Sequence, residues 1–272
     1  MRGNDADPGT MFLCIRDIFE WKDAHPQFEC SLCVSYLEVY NEEINDLLQE
    51  GAQNLRILSE DPVKGAVIER LIEEKVETPT ELLEVLKRGE LQRSYGETKM
   101  NAESSRSHTI YRLVIEVNTV DTDELTGQKI TGIQRSSYLN LVDLAGSERQ
   151  KSTGASGKTL KEGANINKSL LALGAVINKL VEASKKGTSG GKQVFVPYRD
   201  SKLTRILKQS LGGNTFTSIL CTVTAAGMHR EETISTLKFG QLCKSIKNSV
   251  KSNEIVDDRT LIKQLKATVA VC

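Results

Sequence analysis

The stretch Tyr138-Leu139-Asn140-Leu141-Val142-Asp143-Leu144-Ala145-Gly146-Ser147-Glu148 limits what this chain can fold into more than any other. It opens as an alternating and then continuous apolar run, the mark of a buried strand. It closes on an acid followed, three residues later, by a glycine. In open α/β sheets ligands sit beyond the carboxyl ends of strands, so Asp143 stands where a ligand would be. An acid there can hold Mg²⁺ or its waters, and a glycine lets a backbone N–H approach a phosphate closely. Read alone, D-x-x-G is also what any strand followed by a turn leaves behind, and the flanking sequence has to decide.

The chain has 272 residues, 39% hydrophobic and 26% charged, enough for a sizeable core in one large domain or two small ones. No apolar run approaches the roughly 18 residues that span a bilayer, and Met1-Arg2-Gly3-Asn4-Asp5 does not read as a signal peptide. Neither a membrane nor a nucleic acid is expected as a partner. Cys30 and Cys33 form a C-x-x-C inside an apolar run. On a strand they face opposite ways, and no second pair exists for zinc, so they read as reduced core thiols of a cytosolic protein. A formal net charge of zero hides an asymmetry. Residues 1–80 carry 7 Lys/Arg against 17 Asp/Glu, a net of −10, and residues 144–211 carry 13 against 4, a net of +9. Such a basic stretch beside a phosphate-sensing turn fits an acidic macromolecular partner.

Taken in order, Met11–Trp21 has helical spacing, Ser31–Val39 reads as a strand, and Asn41–Leu48 as a polar turn or short helix. Leu55–Leu58 and Ala66–Leu71 are strand-like. Thr78-Pro79-Thr80-Glu81 opens a helix with a capping box. Thr109–Thr119 is a long alternating strand, Asp121–Thr131 a hairpin tip, and the strand ending at Asp143 follows. Ser147–Lys161 is a glycine-punctuated basic loop. Ile166, Leu170, Leu173, Ile177 and Leu180 then mark a long helix. Asp200 or Ser201 caps a short helix that Gly212-Gly213 ends. Thr217–Thr224 reads as a β-branched strand, Glu231–Ile246 as a helix, and Arg259–Lys266 as the start of another. Alternating strands and helices predict a layered α/β sheet.

Two further stretches bear on chemistry. Asn101-Ala102-Glu103-Ser104-Ser105-Arg106-Ser107-His108 gathers small hydroxyls around an arginine just before a strand. Hydroxyls can ligate Mg²⁺ and orient a water, and the arginine can pair with a carboxylate or phosphate. His108 itself reads as a packing histidine. Gly157-Lys158-Thr159 ends like a phosphate loop, but Ser152 occupies the first glycine of G-x-x-x-x-G-K-[ST]. The preceding strand also ends too early for the backbone to cradle a phosphate at a helix N-terminus.

Several motifs, in order, resemble the kinesin motor domain over roughly residues 1–255. Asn101–His108 matches its N-x-x-S-S-R-S-H switch I and Asp143–Glu148 its D-L-A-G-S-E switch II. Asn165-Ile166-Asn167-Lys168-Ser169-Leu170 is similar to its switch II helix, and Val196–Thr204 to its filament-contact loop and helix. Tyr36–Glu42 resembles a further segment. The resemblance implies a three-layer P-loop NTPase fold, a central mixed sheet with helices on both faces. Residues 1–248 would form a partial motor domain, and residues 249–272 a neck-linker-like segment with the start of a neck helix. It implies a microtubule-based motor that couples ATP hydrolysis to filament binding and movement, on the cytoskeleton in the cytoplasm.

Carried over by position, the resemblance makes Ser105 the Mg²⁺ ligand, with Ser104 and Asn101 placing the attacking water. Asp143 would act on Mg²⁺ through water and Gly146 N–H would sense the γ-phosphate, while Arg106 and Glu148 would pair to close the switches. Lys151, Lys158, Lys161, Lys168, Arg199, Lys202 and Arg205 become candidate microtubule contacts. The family's first strands and phosphate loop have no counterpart here, so the chain by itself is expected neither to hydrolyse ATP usefully nor to fold robustly. A homodimer would need a stalk that these residues do not encode. Two alternatives are a nucleotide-independent microtubule-binding module and a different P-loop enzyme using Gly157-Lys158-Thr159.

Overall fold

A computed structural model describes residues 7–100, 106–122, 129–147, 158–186 and 194–256, together with Gly3. Helix α1 (Thr10–Ala24) leads into strand β1 (Phe28–Tyr40), β2 (Glu43–Asp46), the hairpin β3 (Ile57–Asp61) and β4 (Gly65–Ile68), and β5 (Glu74–Val76). Then come α2 (Pro79–Met100), β6 (His108–Thr122), β7 (Lys129–Asp143), α3 (Lys158–Lys186), α4 (Lys202–Ile206), α5 (Arg230–Cys243) and β8 (Glu254–Val256). The main sheet runs β2-β1-β6-β7-β8, with β5 also on β1, and each ladder among the described residues is antiparallel.

Strand alternation divides the core between the two faces. On β1, Leu32, Val34 and Tyr36 join Tyr111 and Leu113 of β6 under α1 (Met11, Ile15, Phe19) and α2 (Leu82, Val85, Leu86). The opposite parity, Leu37, Val39 and Ile110, packs under α3 (Leu173, Val176, Ile177), α4 and the β3–β4 hairpin. Helices thus cover both faces, as expected. The expected capping box forms only in part at the start of α2, because the Glu81 carboxylate reaches the amide before the Thr78 cap and not that of Thr78. Glu81 N–H donates to Thr78 Oγ1 at 3.2 Å, and the Glu81 carboxylate accepts from Glu77 N–H at 2.8 Å.

Two expectations are corrected, and one strand is added. Asn41–Leu48 is not a polar turn or short helix. Tyr40 pairs with Glu43, and Asn41 and Glu42 between them have φ of 52° and 62°, the two left-handed residues of a type I′ hairpin turn that leads into β2. The three-residue strand β5, too short and charged to show a pattern, was not expected at all. Thr217–Thr224 is not a strand among the described residues. β-Branched composition favours extended backbone, but a strand exists only where a neighbour completes its ladder, and none does. Cys221 of the segment lies against Gly240 of α5, and Leu220 is 76% and Val223 53% exposed.

Candidate functional site

Register places the site. Thr109, second in β6, pairs with Asp143, last in β7, so the residues before β6 and the turn after β7 lie side by side. Arg106 and Ser107 enter from one direction, and Leu144, Ala145 and Gly146 leave in the other. Asp143 is exposed at the strand end, and Arg106 is half-buried. Asn101, Ser104, Ser105 and Glu148 lie outside the described residues, and so does the expected Arg106–Glu148 pair.

The base of the hydroxyl-rich stretch is held from two sides. Ser107 is buried and accepts from Arg93 Nη2 of α2 at 3.4 Å, while Arg93 Nε stands 3.9 Å from the Glu38 carboxylate of β1. One helical turn earlier, Glu90 accepts a short hydrogen bond from the Tyr36 hydroxyl. Burial, reinforced by that carboxylate, pushes the Tyr36 phenol well above its ordinary value. Tyr36 also packs edge-on against Tyr111, their ring centres 5.7 Å apart.

His108 is more than a packing residue. It is 2% exposed, its Nδ1 lies 2.9 Å from the Ala145 amide, and its Nε2 lies 2.7 Å from Ser169 Oγ on α3. Burial pushes its pKa down to about 4. The sequence places this histidine at the end of the N-x-x-S-S-R-S-H stretch but gives no sign of these partners. Only the register that sets β6 beside the Asp143 turn, and the packing of α3 over both, gives it these partners.

The candidate filament contacts separate into two groups. Lys168 on α3 and Arg199 in the 3-10 turn Tyr198–Asp200 are exposed. Lys202 and Arg205 are partly occupied inside the molecule. Lys202 Nζ donates to Asn54 Oδ1 at 3.2 Å, and Arg205 Nε lies 3.7 Å from Glu60 of the β3–β4 hairpin. Glu60 also takes a short hydrogen bond from Lys208. That bond, with the nearby arginines, holds its carboxyl below the usual range. Lys158 and Lys161 are positions on α3 whose side chains lie outside the described set, as does Lys151.

Ser201, not Asp200, caps α4, its Oγ accepting from Leu203 N–H at 3.1 Å. Sequence gave no sign of its partner. Glu42, left-handed in the β1–β2 turn, takes the Ser201 hydroxyl at 2.6 Å and the Lys202 amide at 2.9 Å. A carboxylate on the first amides of α4 is favourable both as a hydrogen-bond acceptor and against the helix dipole.

For Mg²⁺ and ATP, the described residues offer the Asp143 carboxylate and the Gly146 amide. No group of three or more His, Cys, Asp or Glu side chains among them could hold a metal ion. The 272 residues contain no complete G-x-x-x-x-G-K-[ST]. The two groups fit the sensing side of a nucleotide site and do not by themselves make a hydrolytic one.

A helix-covered sheet with an acid at a strand end, beside the start of the neighbouring strand and tied to an exposed basic helix, is the architecture of P-loop NTPases with switch regions. The family model "Kinesin motor domain" matches residues 1–246, and the chain belongs to that family. It is 47% identical to kinesin-like protein KIN-7O of Arabidopsis thaliana over 99% of this chain and 21% of that protein. It is 46% identical to KIN-7L of Oryza sativa subsp. japonica, over 99% of this chain and 40% of that one. Among solved structures it resembles a fast kinesin at TM-score 0.77 and 41% identity, over 94% of this chain and 68% of the other. It also resembles a KIF14 dimer with AMP-PNP in complex with a microtubule, at TM-score 0.80 and 38% identity, over 97% of this chain and 72% of that one. The chain therefore spans less than half the length of those two plant relatives.

Proposed function

We propose that this chain forms the switch and filament-binding part of a microtubule motor that works with ATP and Mg²⁺. The observation that carries this reading is the tie from the Asp143–Gly146 turn through His108 to α3, which presents Lys168 to solvent. A γ-phosphate sensor is useful only if its movement reaches something else, and here it leads to a basic helix. In this reading Ser105 and Asp143 serve Mg²⁺, and Asn101 and Ser104 place the water. Gly146 senses the phosphate, and Arg106 pairs with Glu148. Lys168 and Arg199 lead the contact with tubulin's acidic surface, and the protein works on the cytoskeleton in the cytoplasm.

The first test is cosedimentation of the chain with stabilised microtubules across a salt series. Binding should weaken as the Debye length falls from about 10 Å at 0.1 M salt toward about 3 Å at 1 M. Lys168→Ala with Arg199→Ala should weaken it further. Salt-insensitive binding, or none, contradicts the reading. A second test separates the motor from a nucleotide-independent binding module. Fused to the phosphate-loop segment of a KIN-7 relative, a motor part gains microtubule-stimulated ATPase activity, and a simple binding module does not.

A further inference from the structure

Three parts of this molecule meet at one imidazole. His108 opens β6, Ala145 lies between Asp143 and Gly146, and Ser169 follows Lys168 on α3. All three are buried, at 2%, 5% and 3% exposure. The hydrogen-bond directions follow from chemistry. A backbone amide can only donate, so Nδ1, 2.9 Å from the Ala145 nitrogen, must be an acceptor. The neutral ring then carries its proton on Nε2, which donates to Ser169 Oγ at 2.7 Å. An imidazolium would set one N–H against another at Ala145. The lowered pKa, near 4, agrees with a ring kept neutral by burial.

Amide, imidazole and hydroxyl thus form a continuous chain with a single allowed proton arrangement. Its members are enclosed by packed elements, so a shift of Ala145 is passed to the ring and from the ring to α3. Packed interiors do not absorb such shifts by compressing.

We propose that His108 is a positioning residue that couples the Asp143–Gly146 turn to the Lys168 face of α3, so that movement at either end is felt at the other. This rests on the reading that the two ends serve nucleotide sensing and filament binding. The coupling itself is a property of the chain, testable without nucleotide.

The test is amide hydrogen exchange at Ala145 in the 272-residue chain, with the urea midpoint recorded for every variant. Ser169→Ala removes a hydroxyl that does not touch Ala145. It should still speed exchange there by about tenfold, the factor one lost buried hydrogen bond amounts to, beyond any change that global stability explains. Ser136→Ala, which removes another buried hydroxyl (bonded to Tyr138) at a distant point of β7, should leave Ala145 unchanged. His108→Phe keeps the bulk and should expose the Ala145 amide fully. His108→Asn, whose Oδ1 can take the place of Nδ1, should restore protection at Ala145 but not its response to Ser169→Ala. With saturating microtubules, exchange at Ala145 should slow in the native chain and not in Ser169→Ala. The proposal is overturned if Ser169→Ala leaves Ala145 exchange unaltered, or alters it only in step with the urea midpoint. If the native chain fails to bind microtubules, the motor reading falls, and the Ser169→Ala comparison in the free chain still decides the coupling.

Discussion

Gly89 and Gly174 are both glycines inside long helices, and replacing each with alanine should have opposite effects. By intrinsic propensity alone, either change stabilises a helix by about 1 kcal/mol. At Gly174 on α3 an added methyl meets nothing within 4 Å, so the propensity gain should stand. At Gly89 on α2 the same methyl would lie 2.3 Å from Tyr36 Cδ1 and 2.9 Å from Cε1, where ordinary contact begins at 3.4 Å. The ring cannot simply swing away. Tyr36 is 2% exposed, bonded to Glu90 and packed edge-on against Tyr111. Overpacking a well-filled core costs about 1–3 kcal/mol, and disturbing the Tyr36–Glu90 bond about 1 kcal/mol more. Set against the propensity gain, Gly89→Ala should lose roughly 1–3 kcal/mol. Urea unfolding followed by circular dichroism measures both variants, and thermal midpoints should move by about 2–4 °C per kcal/mol. A Gly89→Ala chain as stable as the parent would refute the claim that Tyr36 fills the space over that glycine. A destabilised Gly174→Ala chain would refute the propensity half of the reasoning.

Other outcomes follow from single contacts. Asp46 accepts the Leu48 amide on one carboxylate oxygen and the Ile72 amide on the other, both at 2.8 Å. Asp46→Asn must turn an NH₂ toward one of these donors, and it should cost about 1–3 kcal/mol in urea unfolding. His108 has its folded pKa lowered to about 4 from 6.5, so the unfolded chain binds the extra proton between those values. The contribution is intact above pH 6.5 and should be lost progressively down to about pH 4, by about 3 kcal/mol in all, and His108→Phe should flatten that part of the stability profile. Glu60 has its folded pKa lowered by Lys208, so its stabilisation is present above the unfolded value of 4.5 and fades as pH falls through the folded one. Glu60→Gln should remove about 0.5–1 kcal/mol at neutral pH and almost nothing in acid, as compared by urea midpoints. Leu220→Lys with Val223→Lys should reduce light scattering of the purified chain, because charges on an unpaired extended segment oppose edge-to-edge association.

Much of the sheet was legible because alternation is a local property. β1, β6 and β7 announce themselves in which residues are apolar, and the structure assigns each parity to one face. The features that escaped depend on distant partners. The Asn41-Glu42 turn has no glycine to mark it, since Glu42 is held left-handed by groups on α4. Thr217–Thr224 has the right composition for a strand, but composition cannot supply a neighbour. Within the site, the order of hydroxyls, arginine and D-x-x-G was readable, and so was the family. Which basic residues stay exposed was not. Lys202 and Arg205 look like Lys168 and Arg199 in sequence, and only the fold brings Asn54 and Glu60 to the first two. The role of His108 was equally hidden, because both its partners arrive through tertiary packing.

The Glu42–Ser201 bond has a consequence for the order in which the molecule can be made. Its partners are 159 residues apart. A left-handed non-glycine residue carries a cost of about 1–2 kcal/mol, and for Glu42 the offsetting contacts do not exist until Ser201 and Lys202 have been synthesised. At translation rates of about 5–20 residues per second that gap lasts roughly ten to thirty seconds. The β1–β2 hairpin therefore emerges from the ribosome without its anchor, free to sample other turns, and takes its final form only when α4 reaches it. Vectorial synthesis leaves α4 and this hairpin to settle each other late, after β6 and β7 have already left the ribosome.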